Sequence, residues 1–191
     1  MEQFRQNKYT AGFNTVTDTE DFDPGLTEDV VKKLSAIKNE PEWVTEFRLK
    51  AFAHLQKIKE PTWAEVEYAP IDYQALSYYS APKLRSKDDI PPEILETFDK
   101  LGVPLQERDA LLGVEQSKDK NRIPAVAVDV VFDSVSIATT FQKELKKHGI
   151  IFCSISEAIQ DHPELVKEYL GSVIPAKDNY FACLNSAVFT D

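Results

Sequence analysis

Trp43, Phe47, Ala51, Leu55 and Ile58 recur at spacings of four, four, four and three, between the Asn-Glu-Pro that starts the segment and the Pro61 that ends it. Such a stripe lies along one face of an α-helix, so it needs an apolar surface to pack against. Pro41 suits the first turn of this helix. Trp43 and Phe47, one turn apart, are expected to be its core anchors. A shorter stripe precedes it: Val30, Val31, Leu34 and Ile37, with Thr27 placed to cap the helix start. Two apolar faces in succession predict a helical region.

The pattern changes along the chain. Residues 1–25 are polar, end in DFDPGL and read as an extended arm. From Thr62 to Pro82, VEYAPIDYQALSYYSAP is rich in Tyr and Pro and reads as a long packed connection. Its tyrosines could stack on a base or a ring, but the residues favour a half-buried surface with hydroxyls at the edge. After an exposed charged turn, KLRSKDD, two short helices are expected: PPEILETFDKLG, closed by Gly102, and PLQERDALLGV, closed by Gly113. Residues 116–124 are charged, lack core-forming side chains and read as a flexible boundary. Beyond them Val126, Val128, Val130 and Phe132 alternate as in a strand.

SIATTFQKELKKHG reads as a helix with Ile137, Phe141 and Leu145 inward, and IIFC as a short buried strand. SISEA opens a helix that Ser154 or Ser156 can cap, with Ser154 and Glu157 at capping-box spacing. DHPELVKEYLG opens another, with Asp161 or His162 as cap, and DNYFACLNSA a last one capped by Asp178. AVFTD reads as the start of a strand without a partner, an expectation that marks the sequence as a portion of a longer chain. The fold class is therefore α+β: a helical region at 26–115 that includes the Tyr/Pro-rich connection, the boundary, then an α+β segment at 125–191.

Composition narrows the function. The 191 residues are 42% hydrophobic and 28% charged, the proportions of a globular chain. The formal charge of −10 argues against nucleic acid as a partner, because phosphate binding needs a basic face. No apolar run is long enough to span a bilayer and no signal-peptide core stands at the N-terminus, so no membrane role and a cytoplasmic location are expected. Two cysteines, Cys153 and Cys183, make neither a disulfide framework nor a cluster site from this chain alone.

The chemistry-bearing candidate is the stretch HGIIFCSISEAIQDHPELVKEYLG, where Cys153 is followed by Asp161 and His162. A nucleophile with its base would make the protein a small cysteine-dependent enzyme. The packing alternative makes Cys153 a small buried hydrophobe and gives Asp161 and His162 the task of starting a helix. The residues favour packing: no elbow or third partner completes a triad, and a buried strand raises a thiol pKa. No catalytic, cofactor-binding or metal-ligating residue is assigned. Cys153 remains the one candidate thiol, and His54 and His148 show no metal-ligand spacing.

The strings NEPEWVTEFRLKAF, IDYQALSYYSAPK, VAVDVVFDSVSIATTF, GIIFCSISEAI and DHPELVKEYLGSVIPAKDNYFACLNSAVFTD, in this order, resemble the SufB family. These are scaffold subunits of the SUF iron–sulfur cluster assembly system. The resemblance runs from about Tyr9 to Asp191 and implies an N-terminal portion, leading into a β-helix core absent from this chain. It also implies a non-catalytic scaffold whose transient iron–sulfur cluster is built elsewhere in the longer protein. The implied partners are a SufC-like ATPase and a SufD-like subunit, contacted through regions mostly absent here. A free-standing interaction module of the same system is the alternative, and a plastid location follows if the source is a photosynthetic eukaryote. KLRSKDDIPPEILETF lacks the cysteines some members carry there, and Cys183 stands where other members commonly have alanine.

Overall fold

The computed structural model describes residues 19–63, 66–82, 129–132, 134–139 and 142–191. The expected charged turn, the two helices between 91 and 113, the 116–124 boundary and most of the 1–25 arm lie outside them. The described elements mix six helices with short strands, an α+β fold as the pattern predicts. Strand β1 (Thr19–Asp21) pairs with β2 (Ser80–Pro82), and β3 (Asp129–Phe132) with β4 (Val135–Thr139). The chain forms two compact units, each assembled from separate segments.

The first unit takes in residues 1–20, 81–132 and 136–152. The segment expected to be one helix from Ser136 divides: residues up to Thr139 belong to β4, and helix α3 spans only Gln142–Lys147. Val135, Ile137 and Thr139 are β-branched at alternate positions, which favours the strand. Lys146 and Lys147 complement the C-terminal dipole of α3. Gly149, at φ +73°, then turns the chain as a helix-terminating glycine does. The expected buried strand IIFC is not formed. Residues 150–153 are irregular, Ile150 and Ile151 are half exposed, and Cys153 is only half-buried. An apolar run becomes a strand only with a ladder partner, and the described strands pair with each other.

The second unit takes in residues 21–80, 133–135 and 153–191. Helix α1 (Glu28–Ile37) starts as expected: the Thr27 hydroxyl accepts a hydrogen bond from the Val30 N–H at 3.2 Å. Val31, Leu34 and Ser35 are its buried residues, while Ile37 is exposed. Asn39, at φ +52°, reverses the chain into Pro41, the residue before helix α2 (Glu42–Leu55).

The buried face of α2 is rotated from the expected stripe. It carries Val44, Arg48, Ala51, Phe52 and Leu55, and Trp43 and Phe47 are only half-buried. An apolar-residue count could not place an arginine inside, and Arg48 goes in because a carboxylate waits for it.

Helices α4 (Ile155–Asp161), α5 (Pro163–Tyr169) and α6 (Tyr180–Val188) complete this unit. Ser154 caps α4, its hydroxyl accepting from the Glu157 N–H at 3.1 Å. Asp161 is the last residue of α4, and His162 bridges α4 and α5 without a side-chain capping bond. The start of α5 therefore rests on Pro163 and Glu164. Asn179, not Asp178, caps α6, accepting from the N–H groups of Phe181 and Ala182. The strand expected in AVFTD does not form, because Ala187 and Val188 finish α6.

Among the described residues two apolar clusters hold the unit. In the first, Val31 of α1 and Ala51, Phe52 and Leu55 of α2 meet Cys183 and Ala187 of α6, together with Leu26. The two small α6 residues lie four apart, on one face, and both are fully buried, so α6 lies close against α2. The second cluster joins Val44 to Ile159 of α4 and Val166 of α5, with Trp43 and Phe189 packed on it.

Candidate functional site

The polar groups buried in the second unit gather at two cations. Arg48, 1% exposed, donates from Nε to Glu40 Oε2 at 2.7 Å and from Nη2 to Glu40 Oε1 at 2.5 Å. Its Nη1 donates to the Ala187 carbonyl at 3.3 Å, and its guanidinium lies over the Phe189 ring. The Ser35 hydroxyl donates to Glu40 at 2.8 Å and shares a hydrogen bond with Thr45. A two-pronged arginine–carboxylate pair of this kind is the geometry in which buried charge is tolerated.

Lys38, at the end of α1, is the second cation. Its ammonium donates to Asp191 at 2.6 Å, to the Ser156 hydroxyl at 3.3 Å and to the Ser134 carbonyl. Asp191 also accepts from the Ser156 N–H and hydroxyl at 2.8 and 2.7 Å. Burial pushes the Asp191 carboxyl up, but the Lys38 and Ser156 hydrogen bonds and the Lys38 charge together bring it below the ordinary value. Among the described residues no buried side-chain nitrogen or oxygen is left without a partner. These two networks clasp residues 187–191 from α1, α2 and the start of α4.

Two tyrosines of the connection meet protein rings at a tilt, Tyr73 against Tyr180 and Tyr79 against Phe22. Tyr68 and Tyr73 both donate to Glu60 Oε1, at 2.5 and 3.1 Å. The Tyr73 ring lies 5.2 Å from that of Tyr180, and the Tyr78 hydroxyl donates to the Tyr73 carbonyl. Desolvation, then the Glu60 bond, pushes Tyr73 up to about 12. Gln74 holds the same connection to Leu26, its Oε1 accepting from the Leu26 N–H at 2.9 Å.

Cys153 stands just before the Ser154 cap and is half-buried, as is His162 at the α4–α5 junction. Cys183 is wholly buried, and burial pushes its thiol up. His54 and His148 are both exposed. Among the described residues no group of three or more His, Cys, Asp or Glu side chains is placed to hold a metal ion. A shallow groove of about 370 Å³ beside α2, lined by Leu49, Phe52, Ala53 and Gln56, has Glu28, Glu46 and Lys50 at its rim. Sequence reasoning missed both cation networks. Arg48 and Glu40 lie eight residues apart across a helix–helix turn, outside any local pairing rule, and Lys38 and Asp191 are separated by 153 residues.

Comparison with known proteins gives the pattern of strings a wider frame. An iron–sulfur cluster assembly SufBD family protein of Synechocystis is 53% identical over 188 residues, which is 96% of this chain and 37% of that protein. The chain belongs to the SufBD family. A chloroplastic SufBD family protein of Arabidopsis thaliana is 48% identical over the whole of the chain and 33% of its own length. One from Staphylococcus aureus is 39% identical over 87% of the chain and 33% of its own length. The chain thus spans about a third of the length of these relatives. No family model matches it. Among the described residues of this SufBD chain, no helix is long and apolar enough to cross a membrane.

Proposed function

We propose that the chain is the N-terminal portion of a SufB-like scaffold for iron–sulfur cluster assembly, with a structural and interaction role and no catalysis of its own. The observation that carries this reading is the 53% identity to the Synechocystis protein, sustained over 96% of the chain but only 37% of the relative. The saturated cation networks agree with a structural role: Arg48 and Lys38 are committed to partners inside the fold and hold residues 187–191. In this reading the transient cluster is cargo of the longer protein, and a SufC-like ATPase and a SufD-like subunit are its partners. The setting is the cytoplasm or a plastid, the latter supported by the chloroplastic Arabidopsis relative.

The test is a chimera in which these 191 residues replace the matched region of the Synechocystis protein. It should restore iron–sulfur enzyme activities in cells lacking their own SufB-type scaffold. A folded, expressed chimera that restores none would overturn the reading.

A further inference from the structure

Helix α5 turns its Val166 inward and leaves Leu165 and Tyr169, four residues apart on one face, 43% and 63% exposed. The apolar exposure continues into the turn after it, where Val173 is 90% and Ile174 62% exposed. That turn is anchored at both ends. The Ser172 N–H donates to the Tyr169 carbonyl and the Asp178 N–H to the Pro175 carbonyl. Gly171, at φ +71°, lies against the Phe47 ring, and Ala176 packs on the first apolar cluster. The structure thus holds four large apolar side chains outward on a braced frame, the pre-organisation that a docking surface needs.

We propose that Leu165, Tyr169, Val173 and Ile174 form a docking surface for an apolar face of the part of the SufBD polypeptide outside these 191 residues. The occupant is chosen by size and charge. The relatives are nearly three times as long as the region matched here, so most of the family polypeptide is unaccounted for and available to cover the surface. A second copy would bring another formal charge of −10 against the first. An anionic membrane is opposed by the same charge and by Glu168 on α5, where Lys167 is paired with Glu164. This proposal rests on the reading of the chain as a portion of a SufB-like scaffold.

The test compares the isolated chain with the Synechocystis chimera, each carrying Val173→Cys, by mapping the iodoacetamide alkylation rate residue by residue. Residue 173 should react roughly tenfold or more slowly in the chimera, as a covered thiol does. Lys50→Cys, at a side chain 77% exposed on α2, should react equally in both. Equal rates at residue 173 overturn the proposal. So does slow labelling of the isolated chain that recovers on dilution, which would make a second copy the occupant. If the Val173→Cys chimera fails to fold, hydrogen exchange decides on the unaltered Synechocystis protein: amides matching 171–176 should be slower in the whole protein than in its matched third, and equal exchange overturns the proposal. A chimera that restores cluster assembly yet labels equally defeats this inference alone, and one that is protected but inactive defeats only the functional reading.

Discussion

The Arg48 guanidinium carbon lies 3.8 Å from the centroid of the Phe189 ring while its Nη2 and Nε hold the Glu40 carboxylate. One buried side chain therefore ties the α1–α2 turn to the segment that leaves α6. Removing it strands a carboxylate whose side chain is 3% exposed. Arg48→Leu should cost about 3–5 kcal/mol in urea unfolding, the usual penalty for breaking a buried ion pair from one side. Adding Glu40→Gln should recover part of that loss. A double variant as unstable as the sum of the two singles would show that the pair is not coupled.

Asp191 gives the unit an acid-sensitive contact. Its carboxyl is lowered in the folded protein, so its contribution is fully present above the unfolded value of about 3.9 and is lost as pH falls through the folded value. Asp191→Asn should lower the melting temperature at pH 7 and flatten its decline below pH ~4, until the two proteins converge. Parallel melting curves over the whole acid range would show that the Asp191 charge contributes nothing pH-dependent to the Lys38 clasp.

The rotation of α2 separates two phenylalanines. Phe52 is 7% exposed and belongs to the first apolar cluster, whereas Phe47 is half-buried against Phe189 and Gly171. Phe52→Ala should cost about 3–5 kcal/mol and Phe47→Ala roughly half as much. The reverse order in chemical denaturation would restore the expected Trp43–Phe47 stripe as the buried face.

The thiols should differ in rate. Cys183, wholly buried with its pKa raised, should be alkylated only on unfolding, while half-buried Cys153 reacts first under native conditions. His162→Asn should leave the Cys153 rate unchanged and cost about 1 kcal/mol or less, since its imidazole caps nothing. A collapse of the Cys153 rate in that variant would reinstate the cysteine enzyme.

Anaerobic reconstitution of the isolated chain with iron and sulfide should yield no stable stoichiometric cluster by absorption spectroscopy. Its two cysteines are too few for four thiolate ligands. A stable cluster on the monomer would contradict the assignment of the cargo site to the longer protein.

What was legible in the sequence was local. Thr27 and Ser154 as caps, Pro163 inside a helix start, and the glycines that close α3 and α5 all follow from interactions within a few residues. The family was legible too, because its signal is spread over long strings. Tertiary structure decided the rest. Arg48 goes inside because Glu40 meets it, which turns α2 by one position relative to its apolar stripe. IIFC stays irregular and Ser136–Thr139 becomes a strand because ladder partners, not hydrophobicity, settle strand formation. Lys38 finds Asp191 across 153 residues, a pairing with no period in the sequence to announce it. Caps and turns are chosen by neighbours along the chain, whereas burial of charge and strand pairing are chosen by neighbours in space.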